Sequence, residues 1–248
     1  MNKNERYLNP LSIFGFRRLF DIEQNKDILI SFLNSILEEQ NVKHHIKDIS
    51  YKPAKYVPEF ETEEDTALNF CCEGEHGARF IVKFQKQLEC FFNRYRVYYL
   101  SSPLEDRAGV GTWRFYPDAV YSIGILDFLL EDSGEESNNE PQVSNQLMIR
   151  NTKSGKPLFD NLMYIYLEMP NFDKSEHELE TELDKWLFIL KNISSLQEMP
   201  PSFQEPVFKK AFDVLDSTKL QPAEILAYHE SLETYARKAD DTAHGGRL

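Results

Sequence analysis

Apolar residues recur at three- and four-residue spacing over 25–39, where Ile28, Leu29, Phe32, Leu33, Ile36 and Leu37 share one face. This spacing predicts an amphipathic helix. A second stripe of Leu179, Leu183, Trp186, Leu187, Leu190 and Ile193 predicts a helix over 178–196. Two more helices are expected near 205–217 and 222–238, with Pro206 and Pro222 in their first turns. The middle of the chain reads differently. Residues 46–52 alternate as a short strand, and Pro53 and Pro58 mark a loop after it. Segments 66–72 and 79–85 read as strands, joined by a hairpin connection containing Gly74 and Gly77. A long strand is expected over 115–130 and two more over 144–151 and 161–168, with a helix over 87–101 that has Leu88, Phe91, Phe92, Tyr95 and Tyr99 on its stripe. Strands in the middle and helices at the ends imply one mixed α/β core with a helical C-terminal extension, not a regularly alternating parallel fold.

Composition narrows the class. The length of 248 residues lies between one and two domains. Eighteen Phe and twelve Tyr supply enough apolar surface for a core, which excludes wholesale disorder. No apolar run approaches the ~20 residues of a membrane span, and the N-terminus lacks the apolar stretch of a signal peptide. Cys71, Cys72 and Cys90 form no C-x-x-C pair, so reduced thiols in a cytoplasmic protein are expected.

The net charge of −13 opposes non-specific nucleic-acid binding by the chain as a whole. Its distribution is uneven. Residues 79–114 hold seven bases (Arg79, Lys83, Lys86, Arg94, Arg96, Arg107, Arg114) against three acids, a net +4. Such a segment faces either solvent or an anion. Residues 131–142 carry five acids and no base and read as an exposed loop, and 241–248 read as a frayed tail.

Self-contained catalytic motifs are missing. There is no phosphate-binding glycine loop, no H-E-x-x-H and no G-x-S-x-G. His44 and His45 are adjacent and point apart, and adjacent Cys71 and Cys72 fall on opposite sides of a strand, where core packing is the expected role.

Longer segments carry a family signal. YLNPLSIFGFRRLF at 7–20 resembles the opening motif of the PD-(D/E)XK nuclease family transposases. GARFIVKFQKQLECFFNRYRVYYLSSPL at 77–104 resembles that family's second motif and the helix after it. AVYSIGILDF at 119–128 and YIYLEMPNFDKSEHELETELDKWLFILKN at 164–192 are similar to its later strands and helix. The resemblance runs over about 7–237 and implies a restriction-endonuclease-like mixed sheet flanked by helices, with a helical C-terminal extension. The division it implies is a nuclease-like core over 1–175, an extension packed on it over 176–240, and the tail. Active members cut DNA phosphodiesters with Mg²⁺. Paired carboxylates hold the hard cation through oxygen, and the metal polarises the phosphate and activates water.

The resemblance also implies where those carboxylates belong, and this chain departs from the pattern there. The Asp expected after N-P-L-[ST] is Ile13. The Asp expected on the first strand is Asn69. The final acid, in a motif usually written I-V-E-M-Q, is Lys83, while Gln85 is retained. A divalent cation held ~4 Å from an ammonium would be destabilised by several kcal/mol at an effective dielectric near 20. The expected protein is therefore a catalytically inactive homologue with a vestigial pocket of Ile13, Asn69, Lys83 and Gln85, needing no cofactor. Two alternatives stay open. One is a Mg²⁺-dependent DNA endonuclease with relocated metal ligands, for which Asp65 and Glu168 are the candidates and Glu23 and Asp27 lie near the N-terminal helix. The other is an interaction module pairing with an active relative or with itself. Lys83, Lys86, Arg94 and Arg96 are the candidate contacts to a nucleic-acid phosphate. Lys83 paired with an acid such as Asp65 is the simpler alternative. The dipeptide Pro117-Asp118 lacks a correctly spaced E-x-K and is read as coincidence.

Overall fold

The computed structural model describes residues 5–42, 45–52, 67–74, 78–85, 120–129, 143–147, 150–157 and 162–244, of which 52, 67–74, 79, 81–85, 120 and 234–244 are not described at the level of side chains. Two compact units emerge: residues 1–47 with 172–248, and residues 48–171. The division drawn from the sequence separates core from extension at one boundary, near residue 175, and sets off the tail at 241. The compact units have their boundaries at 47/48 and 171/172.

The first unit is helical. It contains α1 (Ile13–Phe20), α2 (Lys26–Glu39), α3 (Glu182–Asn192), α4 (Pro206–Leu215) and α5 (Pro222–His244). The apolar stripe of α2 is buried as its spacing predicted, from Ile28 to Leu37. Helix α3 is shorter than the expected 178–196 because Thr181 and Asp184 form a reciprocal capping box that fixes its start. Single 3₁₀ turns, Glu176–Glu178 and Ile193–Ser195, occupy the two ends of the expected span. Helix α5 continues through His244, beyond the expected 238 and into the segment expected to fray.

Aromatic rings hold these helices together. Phe20 stacks on Phe32 at 5.0 Å between centroids, and Trp186 lies 6.1 Å from Phe32 and 4.9 Å from Phe208. Trp186 is fully buried, and its indole Nε1–H donates to Ser31 Oγ at 3.2 Å, so the ring is buried without an orphaned donor. The chain start is bound to the same core. Leu8 N–H donates to Leu215 O, Ser217 N–H donates to Arg6 O, and Tyr7 bridges Asp216.

Among the described residues the second unit holds a six-stranded mixed sheet. Its strands are β1 (Ile49–Lys52), β2 (Ala67–Gly74), β3 (Arg79–Gln85), β4 (Val120–Leu126), β5 (Ser144–Leu147) and β6 (Leu162–Glu168), in the order β1-β2-β3-β4-β6-β5. The first three form an antiparallel meander, β3–β4–β6 are parallel, and β5 closes the edge antiparallel to β6. Parallel neighbours are buried on both faces and read as continuous apolar runs, as in VYSIGIL and LMYIYLE. The strand expected over 46–52 begins at Ile49, and those expected over 115–130 and 144–151 are present as Val120–Leu126 and Ser144–Leu147, with 115–119, 130 and 148–149 outside the described residues. The expected loops at 53–58 and 131–142 and the expected helix at 87–101 lie outside the described residues.

Candidate active-site face of the sheet

Strand register decides which positions meet. Asn69 on β2 is directly opposite Lys83 on β3, Lys83 opposite Gly124 on β4, Gly124 opposite Tyr166 on β6, and Tyr166 opposite Asn145 on β5. Opposite Cα atoms in adjacent antiparallel strands stand about 5 Å apart, so Asn69 and Lys83 are immediate neighbours. Two residues further along, Gln85 lies opposite Leu126, and Leu126 opposite Glu168. Period-two alternation assigns the positions of Asn69, Lys83, Gln85, Ser122, Gly124, Asn145, Tyr164, Tyr166 and Glu168 to one face. The other face takes Phe70, Val82, Phe84, Ile123, Ile125, Ile165 and Leu167. Asn69, Lys83, Gln85, Ser122, Asn145 and Glu168 thus share one face, together with the positions of Ile81, Leu126 and Leu162, while Ser144 and Gln146 of β5 fall on the other.

That face is built around Gly124. A Cβ there would lie 2.6 Å from Cδ1 and 2.8 Å from Cε1 of Tyr166, so the ring leans across the neighbouring strand onto the bare backbone. Two residues before Tyr166, burial pushes the Tyr164 phenol up to about 12, and the neighbouring Tyr166 adds to the rise. Ser122 and Glu168 are buried on the same side. The Glu168 carboxylate accepts from Asn145 Nδ2 at 2.6 Å and from Asn171 Nδ2 at 3.5 Å, and Glu168 N–H donates to Val143 O at 2.8 Å. It stands two strand spacings, about 10 Å, from the Gln85 position.

The remaining sequence candidates belong to other elements or lie outside the described residues. Ile13 is the first residue of α1, in the helical unit. Ser12 caps that helix by accepting from Gly15 N–H at 3.1 Å, and Phe14 N–H donates to Ser231 Oγ at 3.0 Å. Ile13 lines a groove of about 430 Å³ together with Phe14, Arg17, Ile22, Ala227 and Ser231. Glu23 and Asp27 are also in the helical unit, where Asp27 pairs with Lys210 at 2.5 Å. Asp65, Lys86, Arg94, Arg96, Asp118 and His44 lie outside the described residues. Cys71 and Cys72 occupy successive positions of β2, and so opposite faces of the sheet, as expected. No group of three or more His, Cys, Asp or Glu suited to a metal occurs among the described residues.

A model of the PD-(D/E)XK nuclease family transposases matches residues 10–242. The chain belongs to this family. Its mixed α/β architecture is the restriction-endonuclease-like fold, and the family match extends from the N-P-L-S loop almost to the end of α5. No curated protein and no solved structure shows significant similarity to the chain. No helix among the described residues is long and apolar enough to cross a membrane.

One surface of this family member is not among the sequence candidates. Arg150, Lys153 and Lys156 are exposed on a tight turn between β5 and β6. A signal for it exists in the sequence: residues 141–159 contain three bases and no acid. Strand alternation dominates that segment, and its charge is small beside the larger basic run at 79–114.

Proposed function

We propose that the chain is a catalytically inactive member of the family that keeps the fold and a role in binding DNA or a protein partner. The observation that carries this reading is the pairing of Asn69 with Lys83 across β2 and β3. The resemblance assigns both positions to carboxylates, and the register makes them adjacent. A magnesium site needs several oxygen donors. The residues present offer one amide oxygen at Asn69, another at Gln85, and an ammonium with three donors and no lone pair at Lys83. This donor set does not fit Mg²⁺. Its three cysteines, an odd number with no C-x-x-C pair, are in keeping with reduced thiols and so with a cytoplasmic setting.

The test is plasmid cleavage by purified protein with Mg²⁺ or Mn²⁺, beside a Lys83→Ala control. The plasmid is expected to stay intact at high protein concentration. Cutting that disappears with chelator would overturn the reading.

A second reading has one observation in its favour. Glu168 is a buried carboxylate on the polar face, so an endonuclease with relocated ligands would draw on it, with Asp65 as the other candidate. Against this, its oxygens already accept two amide hydrogen bonds. If cleavage is seen, its loss in Glu168→Gln would support relocation. The protein-partner reading draws on the strongly acidic balance outside 79–114, and co-elution with an active relative in size-exclusion chromatography tests it.

A further inference from the structure

The turn between β5 and β6 is fixed by its own hydrogen bonds. Arg150 bridges Pro157, and Asn151 N–H donates to Lys156 O at 2.9 Å. Asn151 Oδ1 accepts from Lys153 N–H at 2.9 Å and Ser154 N–H at 3.0 Å, and Gly155 N–H donates to Asn151 O at 2.8 Å. Gly155 turns the chain with φ +68°. Arg150 Nη1 donates to Gly155 O at 3.2 Å, closing the base of the turn.

The result is a small ordered platform whose surface is entirely polar. Residues 150–156 read RNTKSGK, all exposed, with three cations, two hydroxyls and no apolar side chain. No carboxylate pairs with Lys153 or Lys156 among the described residues. In a chain of net charge −13, Lys153 and Lys156, held on one turn with no acid in 150–156, raise the local positive potential. A surface with nothing apolar cannot gain from hydrophobic burial, so an anion is the ligand its chemistry fits. Cations together with Ser, Thr and Asn are the donor types that contact phosphate oxygens. A turn pre-organised by its own hydrogen bonds also loses little entropy on binding. The turn leaves the sheet at the end where β6 begins, and Tyr166 lies four residues, about 13 Å, from Leu162. It is therefore a contact separate from the Asn69–Lys83 row.

We propose that the Arg150–Lys156 turn is a docking element for the phosphodiester backbone of duplex DNA. This rests on the DNA-binding reading above and adds a surface to it. Contacts of this kind carry no base specificity and obey counterion release, with a salt slope of about −0.9 per phosphate neutralised.

The experiment is fluorescence anisotropy of a 20-base-pair duplex with the full chain from 25 to 200 mM salt. Wild type is compared with Lys153→Gln/Lys156→Gln and with Lys153→Arg/Lys156→Arg. Arg150 is left in place because it closes the turn, and unchanged circular dichroism and Tm establish that the variants fold. The Gln variant is expected to reduce the magnitude of the slope of log K against log salt by about 1.8 and to weaken binding tens-fold near 0.1 M salt, equally for unrelated sequences, with the Arg variant restoring both. If wild type binds DNA and the Gln variant keeps the wild-type slope, the turn's role is overturned and the DNA-binding reading stands. A wild type that fails to bind at 25 mM salt would overturn both. Displacement of the duplex by polyglutamate at matched charge as effectively as by unlabelled DNA would overturn the DNA assignment in favour of an acidic protein.

Discussion

Gly15 has no room for a side chain: a Cβ there would lie 2.1 Å from Asn9 O and 2.8 Å from Asn9 C. The atoms in the way are backbone, locked by Asn9 N–H donating to Tyr228 Oη at 2.8 Å and by Ser12 Oγ–H donating to Asn9 O at 2.7 Å. Gly155 is restricted for the opposite reason. Its surroundings are open, and only the left-handed backbone disfavours a side chain. We expect Gly15→Ala to destabilise by about 3 kcal/mol and Gly155→Ala by about 1 kcal/mol. Urea midpoints at unchanged m-value measure both. Equal costs would mean that the close approach at Asn9 relaxes freely. Gly124 belongs with Gly15 in kind, but its neighbour is a side chain, the Tyr166 ring, which has more freedom to shift than a peptide carbonyl.

At the scale of elements, the start of α3 shows how one carboxylate organises a helix end. Asp184 accepts Lys174 Nζ at 2.8 Å on each oxygen, and its Oδ2 also accepts Glu180 N–H at 3.0 Å and Thr181 N–H at 3.1 Å. Burial acts to raise its pKa. The Lys174 hydrogen bond and the two backbone donors outweigh that, and the carboxyl titrates below its ordinary range. A lowered folded-state value means that this stabilisation is fully present above the ordinary carboxylate range, near pH 4. It is lost as pH falls through the lower folded value. Asp184→Asn is expected to cost about 1–2 kcal/mol at pH 7, with the gap from wild type closing as pH falls below 4. Thermal melts across pH 2–7 read this out, and a gap independent of pH would refute it. Neighbouring elements obey the same logic in hydrophobic form. Helix α4 buries Phe208, Ala211, Phe212 and Leu215 on one face, at spacings of three and four, as its sequence stripe required.

For the whole molecule, net charge and site chemistry make a joint statement about ions. An intact nuclease centre that binds Mg²⁺ with a Kd near 0.1 mM would gain about 2.7 kcal/mol of stability at 10 mM Mg²⁺. For an inactive member, Mg²⁺ is expected to shift the melting temperature no more than Ca²⁺ or an equal ionic strength of monovalent salt does. A saturable, Mg²⁺-specific rise would point to a surviving cation site. The acidic chain attracts cations diffusely in any case, so the monovalent control is what separates a site from screening.

Element identity was legible along most of the described chain, because α2, α3 and α4 are written as apolar stripes of period 3.6 and β4 and β6 as short continuous apolar runs. Helix α1 was not legible as an element, although its residues carry a family motif. Eight residues give too short a periodic signal, and the helix is held by contacts 196 to 217 residues away, from Arg18 to Val214 O and from Phe14 to Ser231. Ends differ from expectation where a cap decides them, as at Thr181. The residue types at positions 69, 83 and 85 are set by the sequence alone, as is the absence of carboxylates there. Their adjacency across β2 and β3, the Tyr166 ring over Gly124 and the amide partners of Glu168 are not, because strand register depends on pairing between segments far apart in the chain. Local periodicity is a property of neighbouring residues and survives in one dimension. Which strands pair, and which side chains then meet, is a long-range choice made only when the whole sheet and its core assemble.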